Sequence, residues 1–358
     1  MKKKYHRMNA LKVCYAVFFA LLIILPGKEI YAEQFFKTQN TWHEKVPSNP
    51  ILNKDSANIV KDILLNASTM YVNQGQDWSV PVCYAAANTP IIAVEVKSTL
   101  HGEYIRSQGW DKVPIPQGCM PAGNSATCAG QYRDGHMVVI SSDNKWSWEF
   151  FGASYCNGKW STKTMRKWDL QGNGINYPFD NRSSQRAASV PLLHGLLTYQ
   201  EVSTDTINHA LAFSYNAETD KDHMTIYPSG NYRKGISARI YAMKLGERLQ
   251  LDPSVDCNSL NLTVFGKRIC KALQAYGMIF VENTGPGYNY VFAEISSSWG
   301  TQIGDISAIP LNKLRVVEPV CSDCAVCPNC VTPTPAPPPP PPPDPAPVPP
   351  PGSPQLLP

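Results

Sequence analysis

From about residue 78 to residue 240 the apolar residues come in short or alternating runs, and turn formers separate them. The runs are 79–84, 91–96, 136–140, 146–151 and 207–213, with clusters such as Pro121-Ala122-Gly123-Asn124 and Gln171-Gly172-Asn173-Gly174 between them. Side chains alternate across a strand with a period of two, so these runs read as strands and the Gly/Pro/Asn clusters as turns. Strands at this spacing point to a sandwich or a barrel. Helical periodicity shows clearly in two places. Residues 55–65 carry Ile59, Ile63 and Leu64, with Asp55 as the expected N-cap. Residues 260–276 place Leu262, Phe265, Ile269, Ala272, Leu273 and Tyr276 at three- and four-residue steps. Gly277 follows, where a glycine relieves a left-handed cap. Residues 278–281 and 288–293 read as strands around the turn at 283–287. The expected fold is mainly β: a single jelly-roll-like β-sandwich with two or three packed helices.

The N-terminus has another character. Lys2, Lys3, Lys4, Arg7 and Lys12 precede an almost unbroken apolar run from Val13 to Leu25, and Pro26-Gly27 break it before Ala32. A basic start, a short apolar stretch and a small-residue site together make a secretory signal peptide, expected at 1–32. The run is shorter than the roughly 20 residues a membrane-spanning helix needs. No second run of that length follows, so no membrane span is expected after cleavage. The expected organisation is a secreted β-rich domain at 33–320, a cysteine cluster at 321–330 and a proline-rich tail at 331–358. Seven consecutive prolines in that tail, 337–343, predict a disordered, extended polyproline II spacer without a core of its own. The expected location is secreted, periplasmic or at the cell surface.

Of eleven cysteines, Cys14 belongs to the signal peptide, which leaves an even number for the mature chain. In an oxidising compartment these read as disulfides. The expected pairs are Cys119 with Cys128, Cys257 with Cys270, and Cys83 with Cys156. Cys321, Cys324, Cys327 and Cys330 could chelate zinc or an iron–sulfur cluster, but they are too closely spaced for the usual structural zinc site. They read instead as disulfide formers, within the cluster or between chains. No metal and no cofactor is expected. The formal net charge of +4 includes the basic residues of the signal peptide, so the mature chain is near neutral. That predicts no nucleic-acid partner.

Motifs that would fix a reaction are missing from the sequence. His43-Glu44 has no second histidine four residues on, and there is no Gly-rich phosphate loop and no G-x-S-x-G elbow. Cys83 could pair with His136 or His209 as a nucleophile, but no peptidase signature surrounds it and a disulfide is the preferred reading. Carboxylates beside aromatics are the better lead. In Trp146-Ser147-Trp148-Glu149-Phe150-Phe151 the residues Trp146, Trp148 and Phe150 share one face of a strand and Ser147, Glu149 and Phe151 the other. Trp168-Asp169-Leu170 repeats the theme. Sugar rings stack on aromatic faces and their hydroxyls donate to carboxylates, and two carboxylates at a suitable separation hydrolyse a glycosidic bond. Two histidines, His136 and His209, sit inside apolar strands.

The stretch Pro191-Leu-Leu-His194-Gly195-Leu196, Glu201-Val202 and Ile207-Asn-His209-Ala-Leu-Ala-Phe213 resembles a family of exported bacterial proteins sharing a P-x-L-x-G-L … E-V … I-x-H-A-L-x-F core. Asp77-Trp78-Ser-Val-Pro81, His136-Met-Val-Val139, Trp168-Asp169-Leu170 and Lys271 to Met278 are similar to further blocks, over residues 75–318. Some relatives in that family are carbohydrate-associated, so the resemblance implies a glycan role by association. The resulting expectation is a secreted glycan-binding or glycan-hydrolysing protein whose partner is a polysaccharide or cell-wall glycan. Glu149, Asp169 and Glu201 are the candidate catalytic acids, and Asp134, His136, Trp148, Trp168 and His209 the candidate binding residues. The alternative is a non-catalytic envelope or surface protein held on the proline stalk.

Overall fold

The computed structural model describes residues 35–36, 40–75, 77–99, 101–123, 134–175, 185–217, 226–230 and 239–319. The expected signal peptide, the cysteine cluster and the proline-rich tail lie outside the described residues.

In chain order the elements begin with α1 (Ser56–Asn66), β1 (Tyr71–Asn73), β2 (Val82–Tyr84), β3 (Ile91–Ala93), β4 (Glu95–Val96), α2 (Gly102–Ser107), β5 (Lys112–Pro114) and β6 (Met137–Ile140). They continue with β7 (Trp146–Phe151), β8 (Ser154–Cys156), β9 (Lys159–Thr162), β10 (Thr164–Asp169) and β11 (Leu211–Tyr215). The last are β12 (Arg248–Leu251), α3 (Val264–Ala275), β13 (Met278–Asn283), β14 (Asn289–Phe292) and β15 (Leu314–Val317). The described residues are mainly β with three helices, within the two or three that the periodicity predicts. The described strands divide among four sheets, of six, four, three and two strands, a finer division than the two layers of one sandwich.

The six-stranded sheet has the order β1-β14-β11-β13-β12-β15. It is mixed: β11 runs parallel to β13 and antiparallel to β14, and β12 is antiparallel to both β13 and β15. Helix α3 packs on it through Phe265, Ile269, Cys270, Ala272 and Leu273, all buried. Thr263 caps this helix by accepting from the Gly266 amide, and Gly277 ends it at φ +76°. A Cβ at Gly277 would stand 2.3 Å from the Leu249 carbonyl oxygen, so the expected glycine cap is also a packing requirement. Asp55 does precede α1, but its side chain makes no capping bond.

The four-stranded sheet, β10-β7-β6-β2, is buried on both faces. Val138, Ile140 and Trp168 enter the large core shared with the six-stranded sheet. Met137, Val139, Trp148, Phe150 and Met165 enter a second core with Val96, Ile105, Val113 and Trp160. Two-sided burial explains why the Trp146–Phe151 strand carries apolar residues on one face and still hides Ser147 and Glu149 on the other.

Cys257 is bonded to Cys270, as expected. The other expected pairs are corrected: Cys83 is bonded to Cys119, and Cys156 is disulfide-bonded but not to Cys83. The reason is the strand pairing. β2 lies beside β6 with Cys83 opposite Val139, and Cys119 is buried in that same core, 3.6 Å from the Met137 sulfur. Cys156 belongs to β8 of the three-stranded sheet. Cys83 is therefore oxidised and cannot act as a nucleophile.

Candidate functional site

Two cavities gather the polar residues of interest, and they lie in different parts of the fold. The smaller, of about 290 Å³, is lined by Trp42, His43, His194, Thr198, Glu201, Asn208 and His209, among others. Its walls are set by buried backbone anchors. The Arg248 guanidinium donates to the Thr41 carbonyl and hydroxyl and to the Glu44 carbonyl, which fixes Trp42 and His43. Gly195, at φ +69°, lets the Pro191–Gly195 turn press against β11, where a Cβ would stand 2.3 Å from the Ala212 amide nitrogen.

Within this cavity His209 donates from Nε2 to Glu201 Oε1 at 2.9 Å and from Nδ1 to the Ala210 carbonyl at 2.9 Å. Both ring nitrogens are donors, so the ring is an imidazolium. Burial opposes that charge, but the Glu201 carboxylate and the two hydrogen bonds outweigh it and hold the His209 pKa above its ordinary value. The other Glu201 oxygen accepts from the Thr198 amide and hydroxyl and closes a capping box on the 3-10 turn that follows. His194 is stacked on Trp42 with centroids 5.0 Å apart, packs against Phe36 at 4.3 Å, and among the described residues has no hydrogen-bond partner on either ring nitrogen. Burial, with the charge of its neighbours, holds His194 and His43 in the neutral form, His43 at a pKa of about 4. Among the described residues no group of three His, Cys, Asp or Glu side chains is placed to hold a metal ion.

The larger cavity, of about 450 Å³, opens on one face of the six-stranded sheet. A register shift between Phe213 and Ser214 creates it. Up to Phe213 the β11–β13 pairing runs Phe213↔Phe280, and beyond it Ser214 pairs with Glu282. The skipped residue is Val281, which stays in the core. The bulge thus brings a carboxylate, not a valine, opposite Ser214. On the other side Ser214 pairs with Tyr290, and Tyr290 with Tyr71. Residues paired across strands share a face, so Glu282, Ser214, Tyr290 and Tyr71 form one row. Tyr288, two residues from Tyr290, stacks on it at 5.4 Å. Trp78 and Asp134 complete the lining together with Asn73, Asn283 and Phe292.

The polar chemistry of this cavity is incomplete by itself. The Ser214 hydroxyl is fully buried and has no hydrogen-bond partner among the described residues. Glu282 meets Arg186, whose Nη1 is 3.5 Å from Oε2. Burial raises the Glu282 pKa to about 8, with Arg186 opposing and Asp134 adding to the rise. Asp134 is raised too, by burial against the pull of Lys163 and Arg186. Arg186 is buried and rests on the Phe292 ring, 4.3 Å from its centroid. Trp78 and Tyr288, by contrast, are 43% and 49% exposed at the mouth.

The remaining candidates fall elsewhere. Glu149 is fully buried and accepts from the amides of Leu192 at 2.5 Å and Leu193 at 3.3 Å. Burial raises its pKa to about 7 against those bonds. Its carboxylate positions the turn that carries His194 and Gly195. Asp169 is exposed at the end of β10 and accepts from the Gln171 amide. In the β7–β10 register Glu149 pairs with Arg166 and Asp169 with Trp146, which puts the two acids on opposite faces. They do not converge on one bond. Trp148 and Trp168 are core residues, and cations cover their neighbourhood: Lys167 lies 4.9 Å from the Trp148 ring and Arg166 4.4 Å from that of Trp168. His136 is fully buried, donates from Nε2 to the Gln185 carbonyl, and is kept neutral by burial with a pKa of about 3.

The structure therefore brings Glu201 and His209 together and gives Asp134 new neighbours in Glu282, Ser214, Trp78, Tyr288 and Tyr290. Sequence reasoning missed these five. The Tyr288-x-Tyr290 spacing in a predicted strand was the available signal, since it puts both rings on one face. The chain matches no protein-family model, and comparison with curated proteins and with solved structures gave no match.

Proposed function

We propose that this protein is a secreted glycan-binding protein and that the larger cavity is its sugar site. One observation carries the reading. Half-exposed aromatic rings, Trp78 and Tyr288, stand at the mouth of a cavity that holds two carboxylates and a buried hydroxyl without a partner among the described residues. A pyranose presents an apolar face that stacks on such rings and a rim of hydroxyls that both donate and accept. Asp134 accepts from them. Glu282, protonated at neutral pH, both donates and accepts, and Ser214 gains the partner it lacks. An apolar lining with a few convergent polar groups is the usual composition of a small-ligand site.

The compartment supports the same reading. Disulfides persist in oxidising environments, and among the described residues no helix is long and apolar enough to cross a membrane. The test is a glycan array probed with the mature wild-type protein and with Tyr288→Ala. Glycans retained by the wild type and lost by the variant support the site. Equal retention by both proteins removes it.

A further inference from the structure

The aromatic rings at the larger cavity continue past it as a row on one face of the six-stranded sheet. Tyr288 stacks on Tyr290 with centroids 5.4 Å apart and planes 10° apart, and Tyr290 meets Tyr71 at 6.5 Å. Trp78 lines the same mouth, and its carbonyl accepts from the Asn73 side chain. Tyr71, Trp78 and Tyr288 are 40%, 43% and 49% exposed. Single exposed aromatics are ordinary, but several gathered in one patch mark an interaction surface.

The chain itself carries a segment suited to this patch. Residues 337–343 are seven consecutive prolines. Proline has a fixed φ and no backbone N–H, so such a run favours polyproline II, offers only acceptors, and loses little entropy on docking. Polyproline II segments dock in aromatic-lined grooves. Proline rings lie on the flat faces, and indole N–H and phenol O–H groups donate to the carbonyls. Two residues of polyproline II advance about 6.2 Å, which matches the ring spacing in the row.

The place where the sheet releases the chain fits as well. β15 and β13 are both antiparallel to β12, so they run the same way; β11 runs with them and β14 against them. On leaving β15 the chain therefore heads toward the end of the sheet where β14 and β1 begin. Tyr288 directly precedes β14 there, and Tyr71 opens β1. Strands lie about 4.8 Å apart, so β14 is roughly 19 Å and β1 roughly 24 Å across the sheet from β15. The chain from residue 319 to residue 337 can span at most roughly 60 Å, which covers that distance with slack.

We propose that residues 337–343 dock on Tyr71, Trp78, Tyr288 and Tyr290 of their own chain. The inference goes beyond the glycan reading and does not rest on it; the tail and a glycan compete for one mouth.

Tyrosine nitration by tetranitromethane, read by peptide mapping, measures whether Tyr71 and Tyr288 are covered. It is run on the full mature chain and on a variant carrying Pro338→Gly, Pro340→Gly and Pro342→Gly, with thermal unfolding alongside to show that both are folded. The expected result is about fivefold slower nitration of both tyrosines in the wild type, unchanged on about hundredfold dilution, because a tethered segment keeps an effective concentration in the millimolar range. A nonaproline peptide titrated into the glycine variant should bind, and adding Tyr288→Ala to that variant should remove the binding. Equal nitration rates in the two proteins overturn the inference, and so does a peptide that fails to bind. Protection that disappears on dilution assigns the patch to the tail of a second copy and overturns docking in cis. A blank glycan array alters none of these readouts, so the two readings fail separately.

Discussion

His209 and Glu201 form a buried ion pair at 2.9 Å, and the second imidazole nitrogen donates to the Ala210 carbonyl. The pair ties β11 to the 3-10 turn at Tyr199–Ser203 and supplies the charge in the smaller cavity. Glu201→Gln keeps an oxygen for the Thr198 bonds but removes the charge that holds the imidazolium. The His209 pKa, followed by NMR, should lie above 6.5 in the wild type and fall below it in the variant. The loss in stability should be about 1–3 kcal/mol, because the desolvated histidine then lacks its partner.

Stability should fall as pH rises above 6.5. Glu149 and Glu282 bind protons more tightly in the folded state, at about 7 and about 8, so they withdraw stability as pH rises from 4.5 through those values. His209, raised above 6.5, contributes stability that is fully present below 6.5 and is lost as pH climbs through its folded value. On the acid side His43 and His136, depressed to about 4 and about 3, withdraw stability as pH falls below 6.5, and His194 acts with them. Each group contributes a slope of up to about 1.4 kcal/mol per pH unit. Chemical denaturation across pH should show that fall, and Glu282→Gln should flatten it between neutral pH and 8.

Gly195→Ala tests the anchoring of the smaller cavity. The residue sits at φ +69°, and a Cβ would come within 2.3 Å of the Ala212 nitrogen and 2.6 Å of the Trp42 ring. Neither backbone nor buried indole can yield. The expected destabilisation is about 2–4 kcal/mol by thermal or chemical unfolding.

Much of the local structure was legible in the residues, and the assembly was not. Apolar steps at Ile59 and Ile63, and from Leu262 to Tyr276, mark α1 and α3 because a helix repeats every 3.6 residues. Alternation at Trp146–Phe151 marks β7. The alternation does not say that both faces of that strand are covered, so Trp148 reads as a sugar platform when it is core. Likewise Glu149 looks like an acid beside aromatics, whereas its partners are amides more than forty residues away in sequence. The larger cavity depends on a register shift at Ser214, and nothing local announces which residue a bulge will skip. Asp134 and Glu201 stand out in the sequence as carboxylates near histidines. Glu282 lies between a predicted strand and its turn, and only the sheet brings it to Ser214 and Asp134.

Removing the Cys83–Cys119 bond should cost about 3–4 kcal/mol, the loop-closure value for a separation of 36 residues. The paired variant Cys83→Ser with Cys119→Ser should remain folded but melt lower. Peptide mapping of the oxidised wild type should recover Cys83 joined to Cys119, and recovery of Cys83 joined to Cys156 would contradict the packing of β2 against β6.

The central claim is that a glycan sits on the aromatic mouth over Glu282, Ser214 and Asp134. The most direct measurement is isothermal titration of the best array glycan into the wild type and into a Trp78→Ala, Tyr288→Ala double variant. Both rings are half exposed, so their removal should leave the melting temperature almost unchanged. The account predicts that the double variant loses affinity by about thirtyfold or more, since each stacked ring contributes of the order of 1–2 kcal/mol. Wild-type affinity in a folded double variant would contradict it.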